Sequence, residues 1–104
     1  MNERELGMLE LKVLLAIIRL KDNAYGASVA ELLTSYFPDN QPAIGAIYTT
    51  AQRLEEKGYI ESKETEPQPF RGGRRRIALQ VTKNGFEKAC SAWLPLAELT
   101  KGLF

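Results

Sequence analysis

The sequence predicts an α+β fold, mostly helical: three helices, a two-stranded hairpin and a last helix. Three observations carry that expectation. Residues 43–58, AIGAIYTTAQRLEEKG, read as a helix with two unlike faces. At about 100° per residue, Ile47, Ala51 and Leu54 share one side, flanked by Ile44, and Gly45, Thr49, Gln52, Arg53 and Glu56 share the other. Two strand-like runs follow at once, 59–66 and 74–81, separated by a segment rich in proline and glycine. A short turn bracketed by Pro38 and Pro42 joins the two-faced helix to a second helical pattern just upstream.

The first helix is expected over 3–20. Leu6, Leu9, Val13 and Ile17 form one stripe, and Leu14, Leu15 and Ile18 widen it. So broad an apolar arc belongs in a core, with a share for a partner chain in a dimer. Residues 21–25 form a polar break. The second helix falls within 26–37, where Val29, Leu32, Leu33 and Tyr36 keep the three-four spacing and Ser28 is placed to cap its start. Pro42 suits the first position of the third helix, where its missing N–H is not needed. Gly58 suits the left-handed position that ends it. In the return strand, Ile77, Leu79 and Val81 alternate with Arg74, Arg76, Ala78 and Gln80. Thr82 is placed to cap the last helix, expected at about 82–94, where Phe86, Ala89, Cys90 and Trp93 share a face and Pro95 ends or kinks it.

Length and composition narrow the function. The chain has 104 residues, enough for one domain, so 1–104 is expected to be a single unit. A small core makes oligomerisation a plausible source of added stability. No apolar run is long enough for a bilayer and no signal peptide is visible, so the expected compartment is cytoplasmic with no membrane partner. One cysteine and no histidine argue against a disulfide within the chain and against a structural zinc site. No paired-carboxylate or nucleophile motif stands out, and Gly72-Gly73 sits between strands rather than before a helix, so it is not a phosphate loop. The expectation is a non-enzyme with no metal and no cofactor.

The net charge is +1, but its distribution is uneven. Arg71, Arg74, Arg75 and Arg76 crowd the hairpin tip, and glutamates lie just upstream. A near-neutral protein with a basic tip can hold a polyanion through that tip. Helix, turn, helix and a basic hairpin in this order make a winged helix-turn-helix. One helix fits the major groove of duplex DNA and offers its polar face to base edges. The hairpin reaches the sugar-phosphate backbone, where arginines are favoured, and Gly72 and Gly73 let its backbone approach closely.

Three segments resemble the PadR family of bacterial transcriptional regulators. One is Gly45-Ala46-Ile47-Tyr48 followed by Arg53 to Glu61. Another is Gly72-Gly73-Arg74-Arg75-Arg76 leading through Leu79 to Val81-Thr82-Lys83-Asn84-Gly85. The third is the first helix running into Tyr25-Gly26. The resemblance implies a DNA-binding repressor, usually a homodimer, with Tyr48 and its neighbours on the recognition helix and the Gly-Gly-Arg-rich turn as the wing. The chain departs from the family pattern at Tyr25-Gly26-Ala27, Thr49, Ala51 and Gln52, so the operator does not carry over. Many members carry a long final dimerisation helix or a further helical domain, whereas here the last helix is expected to be short because it meets Pro95, which leaves the dimer geometry open.

The candidate DNA contacts are therefore Gly45, Tyr48, Thr49, Gln52 and Arg53 on the helix, and Arg71, Gly72, Gly73, Arg74, Arg75 and Arg76 on the wing. Gln suits adenine and Arg suits guanine or phosphate. The blander alternative is a solvated helix face and a charged turn. Tyr48 suits either a phosphate or packing at the helix border. Phe86, Cys90 and Trp93 are first of all packing or dimer contacts. The second reading for the aromatic pair is a lining for a small planar effector, as in the dimer crevice of some family members. The rival function is a winged-helix protein-interaction module that binds no DNA, supported by the glutamates between Glu55 and Glu66. A weaker rival is a small-molecule sensor with a vestigial DNA half.

Overall fold

The computed structural model describes residues 5–64 and 77–103. In chain order it holds α1 (Met8–Leu20), a 3-10 turn (Lys21–Asn23), α2 (Gly26–Tyr36), α3 (Ile44–Glu56), β1 (Ile60–Glu64), β2 (Ile77–Val81) and α4 (Lys83–Thr100). The strands pair antiparallel, from Ile60 opposite Val81 to Glu64 opposite Ile77.

α1 is the element that the others pack on. It meets α2, α3, α4 and β2. Its Val13, Leu14 and Ile17 are fully or almost fully buried, in one cluster with Val29, Ile47, Leu54 and Ile60. Each such side chain contributes about 1.5–3 kcal/mol by leaving water. The broad apolar arc read from the sequence is thus largely spent on this core, with Leu6, Leu9, Leu15 and Ile18 half-buried at its margin.

The hairpin is anchored to the helices by backbone bonds. The Leu79 N–H donates to the Ala24 carbonyl (2.8 Å), and Tyr25 pairs with Ala78 as an isolated antiparallel bridge. The polar break before α2 therefore acts as a short third strand beside β2. No alternation marks that stretch in the sequence, because a single bridge needs none.

Several boundaries differ from expectation. Among the described residues α1 starts at Met8, where the Gly7 N–H donates to the Glu10 carboxylate (2.9 Å). Ser28 is not the cap of α2. Tyr25 holds that place, and Ser28 sits three residues on, where its hydroxyl accepts from the Tyr25 N–H (2.8 Å). Pro42 lies one residue before the cap of α3, which is Ala43. The strands are seen over 60–64 and 77–81: Tyr59, expected to open the first, precedes it as part of the turn that closes α3, and the other expected extensions, 65–66 and 74–76, lie outside the described residues. α4 does not end at Pro95 but runs through it to Thr100, so at 18 residues it is not the short last helix expected over about 82–94. The proline removes the bond that Ser91's carbonyl would accept, but Ser91 is exposed, and a solvent-facing carbonyl can turn to water instead.

Two junctions behave as the sequence predicts. Gly58 has φ +80°, the Gly58 N–H donates to the Glu55 carbonyl and the Tyr59 N–H donates to the Leu54 carbonyl, closing α3 in the two-bond form that a left-handed glycine allows. The Thr82 hydroxyl accepts from the Gly85 N–H (3.0 Å) and donates to the Gly58 carbonyl (2.7 Å), so it caps α4 and ties it to the end of α3.

One ion pair crosses the core's edge. Lys57 Nζ lies 2.7 Å from Glu10 Oε2, joining the end of α3 to the start of α1. Partial burial alone would raise the Glu10 pKa. The hydrogen bonds from Lys57 and Gly7 and the charges of Lys57 and Arg53 outweigh it and hold the carboxyl below its ordinary value. A depressed folded pKa gives stability that is fully present above the unfolded carboxylate value and is lost as pH falls through the folded one. Glu10→Gln is expected to cost about 0.5–1 kcal/mol at neutral pH, held small because Lys57 remains open to water. The variant should lose less stability than the parent between neutral pH and about pH 3. Urea unfolding at the two pH values measures this, and equal losses would assign the pair no share of acid sensitivity.

Candidate nucleic-acid interface

α3 owes its orientation to four inward residues. Ile47 and Leu54 are fully buried, and Ala51 and Thr50 nearly so. Thr50 is a polar residue on the inner side that the apolar pattern alone did not select. Ile44, read as a flank of the inner face, is instead 47% exposed, since it opens the helix beyond the edge of the core. The opposite side is free. Gly45, Thr49, Gln52, Arg53 and Glu56 are all exposed, as the face division predicts, and so is Tyr48, which that division did not place.

The outward residues do not all have the same surroundings. A Cβ on Gly45 would meet nothing within 4 Å, so that position is open surface rather than a packing requirement. Tyr48 is 55% exposed, yet its ring lies over the first residue of α2. A Cβ on Gly26 would come within 2.5 Å of Tyr48 Cε1 and 2.8 Å of its hydroxyl. Of the two roles weighed from sequence, phosphate contact and packing at the helix border, the structure shows packing against Gly26, with much of the side chain still open to water. Arg53 is close enough to Glu10 to help depress its pKa, so its charge is shared between the outer face and the α1 junction.

Glu55, the first of the glutamates that favoured a protein-interaction reading, is engaged within the molecule. Its carboxylate accepts from the Ser62 hydroxyl (2.8 Å) and the Ser62 N–H (3.3 Å), bracing β1 against α3. Glu56, Glu61 and Glu64 are exposed beside it. The wing candidates Arg71, Gly72, Gly73, Arg74, Arg75 and Arg76 lie outside the described residues. The described ends of the hairpin, Glu64 and Ile77, face each other as the last paired residues before them.

On α4 the structure keeps Phe86, Cys90 and Trp93 on one face, spaced by four and three residues. Ala89, on the adjoining inner side, belongs to the core. Cys90 is half-buried, and Phe86 and Trp93 are 45% and 49% exposed. Packing within one chain therefore accounts for only half of each ring. Trp93 does not line the cleft of about 470 Å³ between α1 and α4, which is walled by Leu6, Met8, Leu11, Ala92, Pro95 and Leu99, among others. Among the described residues no cluster of histidine, cysteine or acidic side chains could hold a metal ion. None of the described helices is long and apolar enough to cross a membrane.

One residue at this site escaped sequence reasoning, Gly26 as the seat of Tyr48; Ser28, read from sequence as a cap, has a hydroxyl that also donates to the Asn23 carbonyl (2.6 Å) and so fixes the start of α2 beneath that ring. Nothing local in the sequence marks Gly26 for this role, because the ring it seats arrives from α3.

The same arrangement recurs in solved structures. A Streptococcus transcriptional regulator is 26% identical, with a TM-score of 0.70 over 91% of this chain and 87% of that one. A PadR-like transcription factor from Bacteroides fragilis is 21% identical, with a TM-score of 0.74 over 93% and 87% of the two chains. A PadR-like transcriptional regulator from Bacillus cereus is 20% identical, with a TM-score of 0.73 over 93% and 88%. No curated protein matches the chain. The profile of the transcriptional regulator PadR-like family matches residues 14–89, from the middle of α1 to the first half of α4, and the chain belongs to that family.

Proposed function

We propose that this protein is a sequence-specific DNA-binding repressor that works as a homodimer, with residues 1–104 forming one winged-helix domain. The observation that carries the reading is the outer side of α3: a run of exposed small and hydrogen-bonding residues on a helix whose inner side is locked into the core. Gly45, Thr49, Gln52 and Arg53 read or flank the major groove, with Gln52 facing a base edge and Arg53 a base or phosphate. Tyr48 reaches a phosphate from its seat on Gly26. Arg71, Arg74 and Arg76, with Arg75, Gly72 and Gly73, hold the flanking backbone.

The half-exposed face of α4 supports dimerisation. Phe86, Cys90 and Trp93 lie on it, and Leu94, Leu96 and Leu99 are exposed farther along the helix. Two copies joined there, with help from α1, would place two recognition helices on half-sites about one helical turn, roughly 34–36 Å, apart. A small planar effector entering beside Trp93 would shift the dimer between binding-competent and incompetent spacings. The reading includes no catalytic step, cofactor or metal, and places the protein in the cytoplasm.

The test is binding to a labelled mixed-sequence duplex across a salt titration, with sedimentation of the same sample. The wild type is expected to bind as a dimer. Arg74→Ala/Arg76→Ala should bind more weakly, with a salt slope smaller by about 0.9 for each phosphate that the variant leaves unneutralised. Absence of salt-dependent binding at low ionic strength would overturn the DNA reading in favour of a protein-interaction module. A monomer at the concentrations that bind would remove the dimer.

A further inference from the structure

A groove between α1 and the C-terminal half of α2 takes no part in the interface just described. Its floor is Leu15 and Ala16 from α1 and Leu32 and Leu33 from α2, and the Tyr36 and Phe37 rings stand at its side. Its volume is about 190 Å³. That is smaller than the roughly 300 Å³ at which pockets begin to enclose drug-sized ligands, but it suits one or two aliphatic or aromatic side chains of a docked segment.

Charge at the rim selects among such segments. Lys12 Nζ sits 3.8 Å from the centroid of the Phe37 ring, and the Arg19 guanidinium sits 5.6 Å from that of Tyr36. Each cation is thus steered over a ring that borders the groove. No carboxylate lines the groove among the described residues. Lys12 and Arg19 are two turns apart on α1, which separates their backbones by about 10.5 Å along the axis. A helix laid alongside α1 presents side chains at the same two-turn interval on one face.

We infer that this groove is a docking site for an acidic amphipathic helix of another protein, one or two apolar anchors filling the floor and two carboxylates seven residues apart meeting Lys12 and Arg19. Apolar volume and charge complementarity at a fixed spacing select this occupant, and they do so whether or not the chain binds DNA. Basic segments would face two like charges, and neutral ones would leave both cations unpaired. The helix-in-groove mode supplies the affinity from the anchors and the selectivity from the rim.

The test uses the full chain and a fluorescein-labelled, alanine-based helical peptide of about 15 residues, long enough to hold a helix. It carries two central leucines flanked by glutamates seven residues apart, and its control carries lysines in place of both glutamates. Anisotropy titrations at low salt should show the acidic peptide binding about tenfold more tightly than the basic one, with the gap closing as salt rises. Lys12→Glu/Arg19→Glu should reverse the preference, which loss of folding cannot do; circular dichroism and thermal unfolding of the variant confirm that it is intact. Equal binding of the two peptides, or none, overturns the proposal. So does a change in sedimentation mass on charge reversal, which would assign the groove to a second copy of this chain.

Discussion

Replacing Gly85 by alanine is expected to cost about 3 kcal/mol, the upper end of what one added methyl does in a packed site. The reason is the neighbour. A Cβ at this position would stand 1.9 Å from the Tyr59 carbonyl oxygen and 2.8 Å from Val81 Cγ2. The first is backbone and cannot swing aside. That same oxygen accepts the Thr82 N–H (3.0 Å), so α4 can retreat only by breaking the bond that seats it. The melting temperature should fall by about 12–24 °C for a chain of this size. Thermal unfolding by circular dichroism measures it. A drop of only a few degrees would mean that the first turn of α4 yields, and that the close approach is not a constraint. Gly26→Ala is a useful contrast: its obstacle is the Tyr48 ring, a rotatable side chain, so its main effect should fall on the phenol's position rather than on stability.

Ile47→Ala is expected to cost about 2–5 kcal/mol, the range for emptying a buried aliphatic site. Ile47 is completely buried beneath α3, in the cluster shared by α1 and α2. Ile44→Ala, three residues earlier on the same helix, should stay within about 0.5 kcal/mol, because that side chain is half in water. Urea unfolding of the two variants side by side tests this. If they cost the same, α3 is rotated relative to the core, and the outward positions of Gly45, Thr49 and Gln52 would have to be reassigned with it.

That pair also shows what the sequence could and could not convey. Periodicity located α3 and split its faces correctly at Ile47, Ala51 and Leu54 on one side and Gly45, Thr49, Gln52 and Arg53 on the other, because a helix of 13 residues repeats its pattern over several turns. It misjudged Ile44 and overlooked Thr50, since periodicity gives direction around an axis but not where the neighbouring helices stop. Thr82 and Gly58 were legible as caps because capping is a local matter of one side chain or one dihedral. Pro95 misled as a helix end for the converse reason: a proline's local effect is unfavourable, but a helix with an exposed side continues through it. Gly26 and Gly85 could not be assigned from sequence, because what each accommodates, Tyr48 or Tyr59, arrives from a distant part of the chain. The arginines of the wing remain a reading of composition, outside the described residues.

The Thr82 hydroxyl bonds at once to the residue that closes one helix and the first turn of another. α3 and α4 are therefore joined at a hydrogen-bonded elbow. If the chain reads DNA through α3 as a dimer clasped through α4, as proposed, each α3 would be the jaw of a caliper whose opening is set at the clasp. A shift of a few degrees between the two copies of α4 would be carried around the elbow and reappear as a change in the reach between grooves. Evolution or an effector could thus retune the spacing of half-sites without altering any residue that touches a base.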